Sequence, residues 1–318
     1  MSGEGVGPGT RVPESRGRAW VELLRLPALF TVPGDVLAGA AATGSRPGRG
    51  TLLAAGASVS LYAAGMALND WADRDEDARD RPHRPLPSGR VRPAHALAAA
   101  GALTGAGLAL ACRANRTTGA VAAALAATVW AYDLRLKDTP AGPAAMGTAR
   151  GLDLLLGAAA SAPVADHGPL GPALTAATTL AVHTAAVTTV SRNETQGGDI
   201  VAPLTALATA TTIAATLLTA RARGSRPLAH TAGRTAGAAR LGVALPAAAY
   251  ATTALRPLFH AALNPSPPLT QRAVGAGIRA LVPLQSALAA RSGAPVTSLA
   301  TLALAPLARR FAKKVSIT

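Results

Sequence analysis

Charged residues are scarce in this sequence. Asp, Glu, Lys and Arg make up 15% of its 318 residues, whereas soluble globular domains carry about 25%. Negative charge is the scarcer kind, with 16 acidic against 31 basic residues and a net charge of +15. Hydrophobic residues reach 49%. This composition favours a membrane protein over a soluble one.

Aromatic residues and cysteine are also rare. Aromatics account for 3% of the chain, which disfavours nucleic acid as a partner, because base recognition combines basic and aromatic side chains. We therefore attribute the positive charge to contact with anionic membrane lipids. The single cysteine, Cys112, excludes an intramolecular disulfide and a multi-cysteine metal site.

Charge-poor windows of nearly membrane-spanning length recur along the chain. A span needs about 20 apolar residues, and strand-like alternation is absent, so the windows predict an all-α, polytopic membrane bundle of about nine transmembrane helices. The nine windows are 20–42, 51–68, 94–112, 118–134, 141–161, 170–190, 200–220, 238–255 and 273–290.

The two ends of the chain differ from the middle. Residues 1–16 are rich in Gly, Pro and charge and lack the apolar core of a signal peptide, so we predict a disordered tail. Residues 17–293 form the predicted transmembrane domain. Residues 294–318 combine a short apolar stretch with four basic residues, which predicts a basic interfacial segment.

Loop charges predict the orientation. Arginines of the tail and of the loop after the second window fall on one side, which we assign to the cytoplasm of a bacterial-type plasma membrane. Basic residues within 221–240 and at the C-terminus would then lie on the opposite side. The first half of the chain decides the assignment, with the N-terminus cytoplasmic.

Six of the 16 acidic residues lie within residues 70–80. If the second apolar helix continues through this segment, Asp70, Asp73 and Asp77 lie at relative angles of about 0°, 300° and 340° and share one face. Asn69 lies at the edge of that face. Clustered carboxylates repel each other, and Mg²⁺ shared with substrate phosphates would remove the repulsion. A solvated charged loop is the simpler alternative, but it does not explain the shared face.

This segment resembles a known motif. Asn-Asp-x-x-Asp-x-x-x-Asp at 69–77, followed by Arg-Pro-Leu-Pro-Ser-Gly at 84–89, is similar to the first aspartate-rich motif of the UbiA family of intramembrane prenyltransferases. The resemblance implies a nine-helix bundle around a central cavity, with an active site that opens to the cytoplasm. The residues that it assigns to Mg²⁺ and to the diphosphate of a prenyl donor are Asn69, Asp70, Asp73, Asp77 and Arg84.

A second stretch, YDLRLK at 132–137, resembles the Tyr and Lys of a short loop in the same family. The resemblance implies that Lys137 binds a diphosphate oxygen as a compact positive charge. It places the ring of Tyr132 near the allylic cation. Anchoring at the membrane interface is the alternative role for both side chains.

Two charges lie inside the fifth apolar window. Arg150 and Asp153 are three residues apart and can pair on a helix. Charges at that depth usually face the interior of a bundle. Two roles remain open: a structural ion pair, or contact with the acceptor, in which Asp153 orients a hydroxyl group or acts as its base.

The segment VSRNETQGGD at 190–199 departs from the family pattern. The second aspartate motif belongs at this position, usually with two or three aspartates. Here the resemblance implies a weaker set, with Arg192, Asn193 and Glu194 on the substrate and with Glu194 and Asp199 as metal ligands. The pattern is similar to a UbiA subgroup with S-R-x-E here and R-G-L-D in the fifth helix.

The sequence therefore predicts a Mg²⁺-dependent transferase that moves a prenyl group from a prenyl diphosphate, via an allylic cation, to a small or lipid acceptor. The alternative is a membrane transporter or lipid-binding protein on the same bundle. A transporter typically shows internal repeats and matched broken helices. The acidic segments after the second and sixth windows give partial two-fold symmetry, which fits a UbiA bundle as well.

Overall fold

The computed structural model describes residues 16–25, 31–161, 170–219 and 232–316. These residues form twelve α-helices and one π-helical turn, with no strand among them, which confirms the all-α prediction. The helices are α1 (Arg16–Leu23), α2 (Val32–Ala42), α3 (Arg49–Ala72), α4 (Arg74–Asp80), α5 (Pro93–Ala114), α6 (Arg116–Ala131), α7 (Gly142–Ser161), α8 (Leu170–Ser191), α9 (Val201–Thr219), α10 (Ala232–Leu263), α11 (Pro267–Arg291) and α12 (Pro295–Ser316). The π-helical turn (Tyr132–Leu136) follows α6 directly.

Local sequence signals explain several helix ends. Pro93 starts α5, where its missing N–H costs no hydrogen bond. Asn115 separates α5 from α6, and its side-chain oxygen accepts a hydrogen bond of 2.8 Å from the backbone N–H of Thr118. This N-cap allows α6 to begin one residue after α5 has ended, so the two helices form a tight hairpin.

Within the described residues, five helices are long and apolar enough to cross a membrane: Arg49–Ala72, Pro93–Ala114, Gly171–Ser191, Val201–Thr219 and Pro267–Arg291. Each corresponds to a predicted window. The predicted count of nine spans is not confirmed. The first window, 20–42, is not one helix, because α1 ends at Leu23 and α2 begins at Val32.

The described residues cover only part of the two predicted terminal segments. Residues 1–15 of the predicted tail and residues 220–231 of the basic stretch lie outside the described residues. Residues 295–316 form α12, which packs against α11 and α2. The domain boundaries and the interfacial role of the last segment stay predictions.

Glycines bring α2 and α7 into backbone contact. A Cβ atom at Gly39 would overlap the carbonyl oxygen of Leu154, and one at Gly157 would overlap the backbone of Val36. Small residues at such a crossing let two membrane helices approach closely. This approach places the polar residues of α2 next to those of α7.

The acidic segment is not the single helix that the sequence predicted. The α-helix α3 ends at Ala72 and α4 begins at Arg74, with Asp73 between them at φ −87° and ψ 2°. The i to i+4 hydrogen bonds nevertheless continue, from Asp73 N to Asn69 O and from Asp77 N to Asp73 O. The prediction of one helix was wrong, but the helical spacing of the aspartates survives.

Candidate active site

Two of the three aspartates in the first motif form one buried charged group. Asp70 and Asp77 are 5% and 4% exposed. The Arg84 guanidinium bridges them, with Nη1 2.7 Å from Asp77 Oδ2 and 3.7 Å from Asp70 Oδ1. Arg81 Nη1 lies 3.7 Å from Asp77 Oδ1. The structure thus brings Asp70, Asp77 and Arg84 together.

Arg25 joins this group, although the sequence analysis did not name it. Its Nη2 lies 3.2 Å from Asp70 Oδ1 and 3.4 Å from the side-chain oxygen of Asn69. Arg25 follows α1 and has a positive φ of 47°, an uncommon backbone conformation for a non-glycine residue. An arginine inside the first apolar window was the available signal, and the contact with Asn69 spans 44 residues.

Asp133 is a second residue that the sequence analysis missed. It lies in the π-helical turn, is 5% exposed, and its Oδ1 accepts a hydrogen bond of 3.3 Å from Asn69 Nδ2. The contact fixes the orientation of the Asn69 amide, whose oxygen faces Arg25. A lone aspartate directly after Tyr132, at the end of an apolar window, was the available signal.

The third aspartate faces another cation. Asp73 forms an ion pair with Lys137, a contact that the sequence analysis did not name. Burial lowers the pKa of the Lys137 ammonium group, and the nearby Asp138 carboxylate opposes this shift. A buried ammonium group gains more from an anionic ligand than an exposed one, so the site favours an anion at this position.

An open cavity of about 430 Å³ lies between the end of the first motif and the YDLRLK segment. Asp73, Asp133 and Lys137 line it together with Trp71. Tyr132, at the start of the π-helical turn, is half-buried. The cavity is therefore rimmed by the first motif on one side and by the YDLRLK segment on the other.

The residues of the second motif are held mainly by their own loop and its neighbour. Arg192 donates hydrogen bonds to the carbonyl oxygens of Thr139 and Asp138, just after Lys137. Asn193 Nδ2 lies 2.7 Å from Asp199 Oδ2. Asp199 Oδ1 accepts from the backbone N–H groups of Val201 and Ala202, at the start of α9.

Asp199 therefore acts as a helix cap, a role that the sequence analysis did not consider. Glu194 is half-buried on the same loop. The hydrogen bonds and ion pairs found within the described residues do not join this loop to Asp70 or Asp77. The metal-binding roles of Glu194 and Asp199, and the substrate-binding role of Asn193, stay predictions.

Arg150 pairs with a partner that the sequence analysis did not name. Its Nη1 lies 3.0 Å from Asp35 Oδ2, and Asp35 is fully buried on α2. Asp153, three residues along α7, is 6% exposed and lies next to Ser58 of α3. Arg150 and Asp153 thus share one buried region, where the ion-pair partner of Arg150 is Asp35.

The oxygen atoms of the first motif fit Mg²⁺. Asn69, Asp70, Asp73 and Asp77 present only amide and carboxylate oxygens, which are the ligands that Mg²⁺ prefers. Within the described ranges, no group of three or more acidic, histidine or cysteine side chains is arranged as a complete metal site.

Comparison with known proteins identifies the family. The model of the UbiA prenyltransferase family matches residues 28–263. The chain belongs to this family. The match includes the first motif, the YDLRLK segment and the loop at 190–199.

Individual relatives match shorter stretches. The digeranylgeranylglyceryl phosphate synthase of Methanopyrus kandleri is 38% identical over 128 residues, which are 39% of this chain and 45% of that protein. The bacteriochlorophyll synthase 33 kDa chain of Rhodobacter capsulatus is 32% identical over 210 residues, 63% of this chain and 68% of that one. The chain thus spans less than half of the archaeal synthase.

Solved structures share the fold. A UbiA homologue from Archaeoglobus fulgidus, bound to GPP and Mg²⁺, superimposes with a TM-score of 0.57 at 15% identity, over 90% of this chain and 99% of that one. A UbiA homologue from Aeropyrum pernix K1 gives 0.55 at 22% identity, over 79% and 96%. These matches establish the UbiA fold for the chain.

Proposed function

We propose that this integral membrane protein transfers a prenyl group from a prenyl diphosphate to a small or lipid acceptor, with Mg²⁺ as cofactor. The observation that carries the proposal is the alternation of carboxylates and cations along the first motif and its neighbour Lys137. Asp70 and Asp77 share Arg84, while Asp73 pairs with Lys137. The GPP and Mg²⁺ in the Archaeoglobus homologue support this assignment.

The cations of the site would bind the donor diphosphate. Carboxylates balance the positive charges of Arg25, Arg84 and Lys137. An incoming diphosphate would replace these carboxylates as the anionic partner. The carboxylates of the first motif, with Asn69, would then hold Mg²⁺. When bound, Mg²⁺ neutralises the diphosphate and stabilises the charge that develops on it as the allylic C–O bond breaks.

The remaining steps fall to the protein around the donor. Departure of the diphosphate leaves an allylic cation at C1 of the prenyl group, which an electron-rich atom of the acceptor attacks. The helical bundle limits access of water, which would otherwise capture the cation. The ring of Tyr132 is proposed to face this cation.

The orientation of the site is part of the proposal. The loop that follows the first motif carries Arg81, Arg84, Arg90 and Arg92. Positive charge concentrates in cytoplasmic loops, so we place the site and the N-terminus on the cytoplasmic face of a bacterial-type plasma membrane. Membrane lipids are then direct neighbours of the apolar helices.

The test is turnover of prenyl diphosphates of five to twenty carbons by the purified protein, with and without Mg²⁺, in the presence of a lipid extract. We expect Mg²⁺-dependent diphosphate release together with a new prenylated product. Asp77→Asn should lower the turnover by about 100-fold or more, because it removes a charge that faces the leaving group.

Asp80→Asn is the matched control, because it makes the same chemical change on the exposed side of α4. It should leave turnover within about twofold, as expected for a surface substitution. Equal losses in both variants, or wild-type protein that binds no donor while folded, would refute the proposal and favour transport or lipid binding.

A further inference from the structure

A buried polar cluster lies deep in the bundle, away from the first motif. It comprises Asp35 of α2, Ser58 of α3, Arg150 and Asp153 of α7, and Gln285 of α11. Twelve residues of α3 separate Ser58 from Asp70, which corresponds to about 18 Å along the helix. The cluster is therefore distinct from the diphosphate site.

One half of the cluster is tied together by an ion pair and hydrogen bonds, although Gln285 Oε1 has no hydrogen-bond partner among the described residues. Asp35 accepts a hydrogen bond of 2.6 Å from Gln285 Nε2 and an ion pair of 3.0 Å from Arg150. Gln285 Nε2 also donates to the carbonyl oxygen of Thr31, and Arg150 Nη2 donates to the hydroxyl group of Thr31. These bonds tie α2 to α7 and α11.

The other half lacks partners. Asp153 and Ser58 are 6% and 1% exposed, and the Asp153 side chain lies next to both Ser58 and Asp35. Among the residues that the structure describes, neither Asp153 Oδ1 nor Ser58 Oγ has a hydrogen-bond partner. Buried polar atoms of native proteins are almost always paired, because leaving one unpaired is costly. A ligand that supplies the missing hydrogen bonds would account for both atoms.

We propose that Asp153 and Ser58 bind a hydroxyl group of the prenyl acceptor, an inference that rests on the proposed function. A carboxyl oxygen without a hydrogen accepts hydrogen bonds, and a hydroxyl group of the ligand can donate to it. The Ser58 hydroxyl group completes the contact as donor or acceptor. The acceptor is thus held by a hydroxyl group, deep in the bundle.

Charge excludes the main alternative. The cluster contains two carboxylates, Asp35 and Asp153, and one guanidinium group that already pairs with Asp35. A phosphate or carboxylate on the acceptor would meet two carboxyl groups, and the Arg150 guanidinium group is already engaged by Asp35 and Thr31. The site therefore selects a neutral, hydroxyl-bearing acceptor over an anionic one.

A first experiment needs no ligand and asks whether Asp153 has a structural role. Asp153→Leu removes an unpaired carboxylate at similar volume, so thermal unfolding in lipid nanodiscs should shift upward by a few degrees. Asp35→Leu, the matched variant, removes a paired carboxylate and should lower the unfolding temperature. A fall for Asp153→Leu as large as that for Asp35→Leu would overturn the proposal.

A second experiment uses a hydroxylated probe. We expect 1-O-octylglycerol to raise the unfolding temperature of the wild-type protein, because binding to the folded state stabilises it. Its dimethyl ether, which has no donor, and octyl phosphate, which is anionic, should have little effect. Asp153→Leu and Ser58→Ala should abolish the response. No response in the wild-type protein, or an equal response to all three probes, would overturn the proposal.

A third measurement separates this proposal from the proposed function. Binding of a non-hydrolysable thio-analogue of a prenyl diphosphate should persist in Asp153→Leu and fail in Asp77→Asn, while Asp77→Asn keeps the response to the diol. If the wild-type protein responds to the diol but does not bind the donor analogue, prenyl transfer alone is refuted. Intact donor binding without a diol response would refute the hydroxyl site alone.

Discussion

The two loops that carry the family motifs use their acidic residues differently. After α3, Asp70 and Asp77 are buried and share the Arg84 guanidinium group. After α8, one carboxylate oxygen of Asp199 accepts hydrogen bonds from the start of α9, and the other accepts one from Asn193. The first loop holds charges against charges, whereas the second holds a carboxylate against neutral N–H groups.

This difference indicates how the work is divided. Carboxylates that are paired with cations can exchange partners when a diphosphate and its metal bind. The cations then pair with the diphosphate, and the carboxylates bind the metal. A carboxylate that caps a helix cannot leave without exposing backbone donors. We infer that the first loop carries most of the donor chemistry and that the second loop mainly supports it.

The largest expected effect comes from exchanging acidic residues for alanine in both loops. Asp73→Ala should lower donor turnover by about a thousandfold, because it removes a charge beside the diphosphate and the partner of Lys137. Glu194→Ala should cost far less, about tenfold or below. Steady-state assays at saturating Mg²⁺ measure both. Equal losses of turnover would show that the two loops contribute equally to donor turnover.

A smaller effect tests the link between the loops. Lys137→Ala should lower kcat/KM for the donor about 10- to 100-fold, and Arg192→Ala about fivefold, because Arg192 holds the carbonyl groups that follow Lys137. If Arg192 acts through Lys137, its loss should have no further effect in the Lys137→Ala background.

Additive effects in this double-mutant cycle would instead place Arg192 directly on the substrate, as the sequence predicted. Arg192→Lys is the conservative control. Lysine keeps the positive charge, but its ammonium group cannot donate to both carbonyl groups as the planar guanidinium group does. Activity above that of Arg192→Ala is therefore expected only if the charge itself contributes.

The smallest effect on catalysis is expected for Asp199→Ala. The loss of the cap on α9 should destabilise the fold by about 1 kcal/mol, while turnover per folded molecule changes little. Thermal unfolding and activity measured on the same sample separate these outcomes. Turnover that collapses with an unchanged unfolding temperature would restore Asp199 as a metal ligand.

The sequence predicted those features that depend on local spacing. Hydropathy windows located the helices, because a span has a minimum apolar length. Helical periodicity grouped Asp70, Asp73 and Asp77; Asp70 and Asp77 do share Arg84, whereas Asp73 pairs with Lys137. The break at Asp73 was missed, since i to i+4 hydrogen bonding continues across it and leaves no mark in the pattern.

Contacts between distant segments were beyond reach. Arg25 meets Asp70 across 45 residues, and Gln285 meets Asp35 across 250. The sequence places Arg150 and Asp153 at pairing distance on one helix, yet Arg150 pairs with Asp35, because the close crossing of α2 and α7 brings that carboxylate nearer. Partner choice of this kind depends on packing, which local spacing does not encode.

The π-helical turn has a consequence for how the chain tolerates length changes. The N–H of Lys137 bonds to the carbonyl oxygen of Tyr132, five residues back, instead of four as in an α-helix. Removing one residue between them would leave the same N–H opposite the same carbonyl oxygen in ordinary α-helical winding, so Lys137 would keep its place. The extra residue instead changes where the side chains between Tyr132 and Lys137 point, and Asp133 is one of them.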